Sequence, residues 1–303
     1  MTTTERDLPP EPAPASTPAA VAREWSTIIL PGLIWGSSYL FIAESLEAIR
    51  PEGVTFVRTL IGFAVLSCFP GGRAAIHTGD RGRAGLLGLI WFAFPMSMFP
   101  FAEQHVSSAL TGMLNSATPV FVTIVAAGLA RRRPDTPVLG ALAVGIVGAF
   151  LIAAPGLGEG GSTAWGIGLI LAALASYGFA FNLAGPLQQR NGAAPVIWRA
   201  LGVAVVVTAP LGVPALLDAS WDWRSGLSML ALGGLGTGVA NILVATAAGR
   251  GGAVRASAMA FIIPTVSLVL GVGLRDEHVA AVSLAGGALC VLGAWWLAVA
   301  ARR

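Results

Sequence analysis

Ten apolar segments of about twenty residues follow one another along the chain, and short segments between them carry nearly all of the charge. A helix of about twenty apolar residues crosses a hydrocarbon core about 30 Å thick. Only 11% of the 303 residues are charged, whereas soluble domains average about 25%. The sequence therefore predicts an all-α integral membrane protein with about ten transmembrane helices. The predicted spans are 25–43, 53–70, 84–102, 106–130, 137–154, 164–184, 195–213, 226–248, 253–273 and 279–300.

The arginines predict how these spans are oriented. All 18 basic residues are arginine. If the N-terminus is cytoplasmic, thirteen arginines fall in inside segments, three in outside loops and two within spans. This bias satisfies the positive-inside rule, so both termini are predicted to lie on the cytoplasmic side of a plasma or inner membrane. Residues 1–24 are rich in proline, alanine and threonine and are expected to form a disordered cytoplasmic tail.

The two halves of the sequence resemble each other. The second and seventh spans open alike, with Arg58 and Arg199 at matching positions, and the fourth and ninth spans each carry a mid-span proline, Pro119 and Pro264. Five spans per half is an odd number, so the second half must enter the membrane upside down. Inverted repeats of this kind recur in transporters, with the substrate site at the midplane between them. The two predicted five-helix repeats cover residues 25–154 and 164–300.

Short motifs in both halves keep register with the ten spans. They are the Trp-Gly-Ser run at residues 35–37, Arg58, the junction at 102–108, Asn115 with Pro119, and Arg255–Ser257 with Pro264 and Glu277. Together they resemble the EamA-like family of drug/metabolite transporters over about residues 26–300. One departure is the run Arg131–Arg133, where the family often has a Gly-Glu pair. The resemblance implies a secondary transporter, usually an exporter of small metabolites or amino acids, that works by alternating access.

Two arginines within spans are candidates for binding an anionic substrate group. A charge at the centre of a span costs at least about 2.5–3.5 kcal/mol, and less near the ends where it can snorkel. Arg58 is predicted roughly 8 Å below the outer boundary, where it either meets the substrate or pairs with Glu44 or Glu52. Arg199 is predicted near the inner face, where it either lines a second vestibule or snorkels.

Other polar and aromatic side chains within spans complete the candidate substrate site. Trp35 is predicted near the midplane, outside the aromatic belt, so it either stacks on a substrate or fills space between helices. Tyr39 follows it, and Tyr177 is a further polar group within a span. Pro119 lacks an amide hydrogen and frees the carbonyl of Asn115, which then coordinates ligand or merely marks a kink.

Pro264 is predicted to free a carbonyl of the ninth span in the same way, so both prolines are candidate helix kinks. Glu103 and His105 flank the outer end of the third span. They are candidates for proton coupling, with solvated loop residues as the alternative reading.

Several function classes are excluded or disfavoured. The chain has no lysine, which excludes a Walker A phosphate loop and a lysine Schiff base. No histidine or cysteine cluster has metal-ligand spacing, and we predict no cofactor. The expected partners are a small-molecule substrate, the lipid bilayer and a coupling proton or counter-substrate, with no nucleic acid. A membrane-embedded enzyme and a non-transporting scaffold or sensor are the alternatives, but Glu103 has no partner acid to support catalysis.

Reporter fusions test the predicted topology. Fusions after Arg133 and after Arg303 should both report cytoplasm, because both positions end the arginine-rich inside segments. A matched fusion after Arg50 should report the opposite side. An external signal at either of the first two positions would contradict the ten-span topology and the inverted repeat that depends on it.

Overall fold

The structure is a computed structural model, and it describes residues 18–158, 161–244 and 262–300. All regular secondary structure in these residues is helical, which confirms the predicted all-α class. Nine of the helices there are long and apolar enough to cross a membrane, and a tenth apolar helix of the described part is shorter. In chain order the helices are α1 (Pro18–Leu46), α2 (Pro51–Cys68), α3 (Thr78–Ala102), α4 (Ser108–Ala130), α5 (Thr136–Gly158), α6 (Gly161–Asn191), α7 (Ala193–Leu217), α8 (Trp223–Val244), α9 (Ile262–Arg275) and α10 (Ala281–Ala300).

Some helix ends differ from the predicted spans. Helix α1 begins at Pro18, so residues 18–24 of the expected tail are helical; this segment is rich in alanine, the best helix former, and nothing interrupts it before the apolar run. Helix α6 continues to Asn191 because the next residue that breaks it is Gly192, with φ of 79°. Parts of the predictions lie outside the described residues: 245–248 of the eighth predicted span, 253–261 of the ninth and 1–17 of the expected tail.

Helices α5 and α10 cross at glycine positions where their backbones approach closely. A Cβ added to Gly148 would lie 2.6 Å from the backbone nitrogen of Cys290 and 2.7 Å from the carbonyl of Gly286. A Cβ on Gly293 would lie 2.8 Å from the nitrogen of Gly145. In lipid, helices associate through such small residues, because there is no hydrophobic effect between apolar faces. This pair forms one side of the bundle.

The remaining helices pack in a repeated pattern. Helix α2 packs against α7, and α4 packs against α9. Helix α1 contacts α8 and α9, as α6 contacts α3 and α4. Helix α2 also contacts α8, as α7 contacts α3. When five is added to or subtracted from each helix number, the α2–α7 and α4–α9 contacts map onto themselves and each of the other contacts maps onto another of the set.

Helices α3 and α8 each contain a wider π-helical segment. In α3 the segment is Gly88–Ala93, and Phe94 separates it from Pro95, which cannot donate a helical hydrogen bond. In α8 it is Ala231–Val239, which contains four glycines. Such segments are rare and are frequent at functional sites, because their carbonyls are less regularly bonded.

The α5–α10 crossing gives a stability prediction. Gly148→Ala should lower the free energy of unfolding by about 1–3 kcal/mol. The new methyl group would collide with backbone atoms of α10, which cannot move aside as a flexible side chain can. The measurement is thermal unfolding of the purified protein in detergent. Gly168→Ala is the matched control, since no atom lies within 4 Å of a Cβ added there, and this variant should unfold at or slightly above the wild-type temperature. Equal melting of both variants would contradict the close crossing.

Candidate functional site

Five side chains form what we call the central cluster. Four come from helices and one from a turn: Tyr39 from α1, Arg58 from α2, Phe99 from α3, Tyr177 from α6 and Glu103 from the turn after α3. The ring of Phe99 packs on Tyr39 with centroids 5.7 Å apart, in an edge-to-face arrangement, and on Tyr177 at 6.0 Å. Arg58 lies within electrostatic range of both tyrosines and of Glu103. The structure therefore brings together four of the residues that the sequence singled out.

Arg58 is the buried cation of this cluster. Only 5% of the residue is exposed. Its Nε donates a hydrogen bond to Thr237 Oγ1 at 3.3 Å. The two acids considered as its partners pair elsewhere: Glu44 with Arg275, and Glu52 with Arg50.

The ion pairs among the described residues all involve other arginines: Arg50, Arg83, Arg190 and Arg275. A guanidinium has five N–H donors in a planar fork that suits a carboxylate or phosphate. The hydroxyl of Thr237 accepts a hydrogen bond from one of these donors of Arg58.

Trp35 binds the same π-helical segment of α8 as Arg58. Its Nε1 donates to the carbonyl of Gly236 at 2.8 Å, one residue before the threonine that accepts from Arg58. The indole is half-buried, and its N–H is satisfied by the protein. Trp35 thus has a structural contact in addition to its predicted role in substrate binding.

Glycines let α8 and α4 approach this region. A Cβ on Gly62 of α2 would lie 2.7 Å from the methyl group of Thr237, so only glycine at this position leaves room for the threonine. A Cβ on Gly112 of α4 would collide with Ser267 of α9 and with the ring of Tyr39. The contacts around Arg58 and Tyr39 therefore depend on glycine at positions 62 and 112, where a side chain would collide with its neighbours.

Glu103 reaches into the cluster from the residue after the end of α3. Both carboxylate oxygens are buried and have no hydrogen-bond partner among the described residues. Burial, and next the carboxylate of Glu277, raise the pKa of Glu103 well above its ordinary value, while Arg58 opposes the shift. A buried carboxyl group without a donor is costly in its charged form, so it takes up a proton or a donor from a ligand. His105, by contrast, is exposed, and its Nδ1 lies 2.7 Å from Ser162 Oγ.

Glu277, noted from the family resemblance, has a structural explanation. Its carboxylate accepts from the backbone N–H of Ser108 at 3.0 Å, from the hydroxyl of Ser108 at 2.8 Å and from the N–H of Ala109 at 2.8 Å. These donors are at the first turn of α4, where a negative charge is favourable. Asp276, with φ of 52°, turns the chain at the end of α9 so that Glu277 points to α4. The contact joins the two halves of the sequence.

Asn115 lies where α4 is interrupted. Regular helix stops at Asn115 and resumes at Thr118, directly before Pro119. The hydroxyl of Thr118 donates to the backbone carbonyl of Asn115 at 2.7 Å, and it lies 3.2 Å from Oδ1 of the same residue. The carbonyl expected to be free therefore has a partner. Pro264 is near the start of the described part of α9, and the carbonyl it was expected to free lies outside the described residues.

Arg199 lies apart from the central cluster. Its Nη1 donates to the carbonyl of Pro195 at 3.0 Å, and its guanidinium carbon is 5.5 Å from the ring centroid of Trp198. It lines a surface groove with Arg81 and Phe63. The matching sequence positions of Arg58 and Arg199 therefore correspond to a buried site in one half and a half-buried surface site in the other.

Sequence reasoning did not find Phe99, Gly236 or Thr237. The glycine-rich stretch of α8 was a usable signal, because repeated glycines in a span mark close helix approach or irregular backbone. A second signal was the tyrosines. The chain has two, each preceded by a serine in the first helix of its half, Ser38-Tyr39 and Ser176-Tyr177, and both contact Phe99.

The long apolar helices of the described residues define a multi-pass membrane protein. Residues 24–154 match the EamA-like transporter family, which confirms for this part of the chain the resemblance that its motifs carry.

Two curated relatives extend over most of the chain. A probable terminal-alkyne amino-acid exporter of Streptantibioticus cattleyicolor is 25% identical over 271 residues, covering 88% of this chain and 90% of the relative. The uncharacterized transporter YdfC of Bacillus subtilis is 26% identical over 272 residues, covering 86% of each chain. A solved crystal structure of a protein matches 94% of this chain and 99% of its own with a TM-score of 0.59 and 18% identity, and so shares the fold. These similarities place the chain among membrane transporters.

Proposed function

We propose that the protein is a secondary active transporter that exports a small metabolite or amino acid across the cell membrane by alternating access. The observation that carries the proposal is the buried Arg58. It donates a hydrogen bond to Thr237 in the π-helical segment of α8 and forms an ion pair with no acid among the described residues. An enzyme would need a nucleophile, a metal cluster or a free acid pair at the same depth, but the acid near Glu103, Glu277, is already hydrogen-bonded to Ser108 and Ala109. A scaffold would not need an unpaired charge there.

The repeated packing pattern supports two inverted five-helix repeats. Contacts of α1, α2 and α4 with their neighbours recur when each helix number is shifted by five. The helix ends agree: Arg131 ends α4 with φ of 50° and Asp276 ends α9 with φ of 52°. Each lies twelve residues after the proline of its helix, Pro119 or Pro264. We propose that the repeats, residues 25–154 and 164–300, move against each other around the central cluster.

The π-helical segments occupy corresponding places in the two proposed repeats. Trp35 of α1 donates to the segment in α8 through Gly236. Ser176 of α6 donates to the segment in α3 through the carbonyl of Ile90, at 2.7 Å. The first helix of each repeat thus binds the loosened turn of the other repeat's third helix. Such a turn absorbs a change in helix register at low cost, which suits a site that must open to both sides.

The chemistry of Arg58 favours a substrate with a carboxylate or phosphate group. The printed name of one relative describes an amino-acid exporter, and an amino acid has such a carboxylate. Tyr39, Tyr177 and Trp35 would provide apolar and aromatic contact for the rest of a small molecule. Asn115 remains a candidate from the interrupted helix, whereas Arg199 lines the surface groove and has no contact with this cluster among its hydrogen bonds and ring contacts.

Glu103 is the better of the two candidates for proton coupling. Its carboxyl oxygens are buried near Arg58, so protonation changes the charge of the site itself. His105 is exposed and hydrogen-bonded to Ser162, outside the central cluster. We propose that a proton on Glu103, or a counter-substrate at the same place, provides the coupling.

Ion pairs at the two ends of the bundle would have to open in turn during alternating access. At the end near Arg58, Arg275 of α9 pairs with Glu44 and Glu47 of the α1 end. At the opposite end, Arg190 of α6 donates to Asp80 of α3 at 2.8 and 3.2 Å. These pairs are partly exposed, so each contributes only about 0–1 kcal/mol and its opening is not costly.

Substitution of Arg58 tests the proposed substrate site. Arg58→Ala should reduce export of labelled amino acids from preloaded cells at least ten-fold, because a hydrogen-bonded charge contributes about 1.5–3 kcal/mol. Arg58→Lys should restore little, since an ammonium cannot make the bidentate contact of a guanidinium. Arg50→Ala is the matched control: Arg50 lies at the same end of α2 but is exposed and paired with Glu52 and Asp218.

Protein abundance and thermal unfolding in detergent separate function from folding. Loss of transport at wild-type abundance and melting temperature supports the proposal. Wild-type transport per molecule in Arg58→Ala would refute the assigned site. A parallel loss of abundance, melting temperature and activity would mean that Arg58 is a structural residue.

A further inference from the structure

A groove separate from the central cluster lies on the surface between α2, α3 and α7. Its volume is about 450 Å³. One end is lined by Arg81, the first residue of the α-helical part of α3, and by Arg199 of α7. The rest of its lining is apolar or glycine: Phe63, Gly85, Trp198, Gly202, Val203, Val206 and Val207.

The walls of the groove are fixed by side-chain contacts. Trp198 stacks on Phe63 with ring centroids 5.2 Å apart, and its Nε1 donates to Ser67 Oγ at 2.8 Å. Two glycines leave space in the groove that a side chain would occupy. A Cβ on Gly202 would lie 3.2 Å from the ring of Phe63, and a Cβ on Gly85 would extend into open space with its nearest atom at 3.9 Å. The groove is therefore a built feature of the helix packing.

The cationic end has unused hydrogen-bond donors. Of the five N–H groups of Arg199, one donates to Pro195 within its own helix, and no carboxylate of the described residues pairs with Arg199 or with Arg81. Because Arg199 lies 5.5 Å over the Trp198 ring, the guanidinium is held at the mouth of the groove. Two arginines that line the same groove are complementary to a phosphate group.

The apolar end faces the hydrocarbon. Val206 and Val207 are 71% and 50% exposed, on a helix that crosses the membrane, and they continue from the arginines toward the bilayer interior. The arginines lie at the predicted cytoplasmic end of α3 and α7, where anionic lipids are concentrated and basic side chains attract them. Charge at the interface and an apolar channel below it match one molecule: a lipid with an anionic headgroup.

We propose that this groove binds one anionic phospholipid, with its phosphate between Arg81 and Arg199 and an acyl chain along Trp198, Val206 and Val207. The site does not depend on the transported substrate. It also gives Arg199 a role that its position, away from the central cluster, permits. Bound lipid would bridge α3 and α7, which belong to different proposed repeats.

Native mass spectrometry of the purified full-length protein tests the site with phosphatidylglycerol and phosphatidylcholine of identical acyl chains. The wild type should retain one phosphatidylglycerol in preference to phosphatidylcholine. An interfacial arginine contributes roughly five-fold to binding of an anionic lipid, so the Arg81→Gln/Arg199→Gln double variant should bind about 25-fold more weakly. Phosphatidylcholine binding should be unchanged in this variant.

Arg224→Gln is the matched control. Arg224 stacks on Trp223 at 5.4 Å, as Arg199 stacks on Trp198, but it lies at the predicted outer end and lines no part of this groove. Its substitution should leave lipid binding unchanged. An equal loss in Arg224→Gln and in the double variant would mean that overall charge, and not the groove, attracts the lipid, and would overturn the proposal.

Two further arms separate headgroup from acyl contact. Gly85→Leu places a larger side chain in the groove and keeps both arginines in the chain, and it should weaken phosphatidylglycerol binding at an unchanged melting temperature. Soluble glycerol phosphate should not displace bound phosphatidylglycerol, even when it is added at the concentration at which phosphatidylglycerol itself saturates the site. Full competition by glycerol phosphate, or full binding by Gly85→Leu, would reduce the site to a simple anion site and contradict the lipid proposal.

Discussion

The buried guanidinium of Arg58 constrains the helices around it, because they must surround a charge. Arg58 sits inside the bundle at 5% exposure, about 10 Å from the end of α2 if the helix rises 1.5 Å per residue. Burial of a charge without a counter-charge is unfavourable, so the surrounding helices must provide polar groups. Thr237 supplies one acceptor. The neighbouring tyrosines and Glu103 lie within electrostatic range.

This requirement explains two irregularities of the helices. Helix α8 can bring Thr237 and the Gly236 carbonyl to α1 and α2 because its turn is widened there and because glycines remove the side chains that would intervene. Helix α4 is interrupted before Pro119, and its first turn is held by Glu277 from the opposite half of the chain. Regular, tightly packed helices would exclude such polar contacts, so the irregular turns and the polar cluster occur together.

Much of the fold was predictable because hydrophobic length and arginine distribution act on each helix separately. The all-α class and the ten helices came from these signals, and the family resemblance came from short motifs in register with the helices. The placement of individual side chains did not. Trp35 and Arg58 lie next to each other only because they contact adjacent residues of α8, and Arg199 departs from Arg58 because its part of α7 faces the bundle surface. Such contacts depend on helix rotation and on glycines in the other half of the chain, which periodicity along one helix does not report.

Thiol accessibility at position 177 would test most directly whether the central cluster lies on a pathway open to both sides. The measurement uses Tyr177→Cys in a Cys68→Ser/Cys290→Ala background, since both native cysteines are free thiols, with a membrane-impermeant maleimide applied to right-side-out and inside-out vesicles. Alternating access predicts labelling from both sides in a variant that still transports, and slower labelling when a transported amino acid is present. Labelling from one side only, or from neither, in a transport-competent variant would contradict the account.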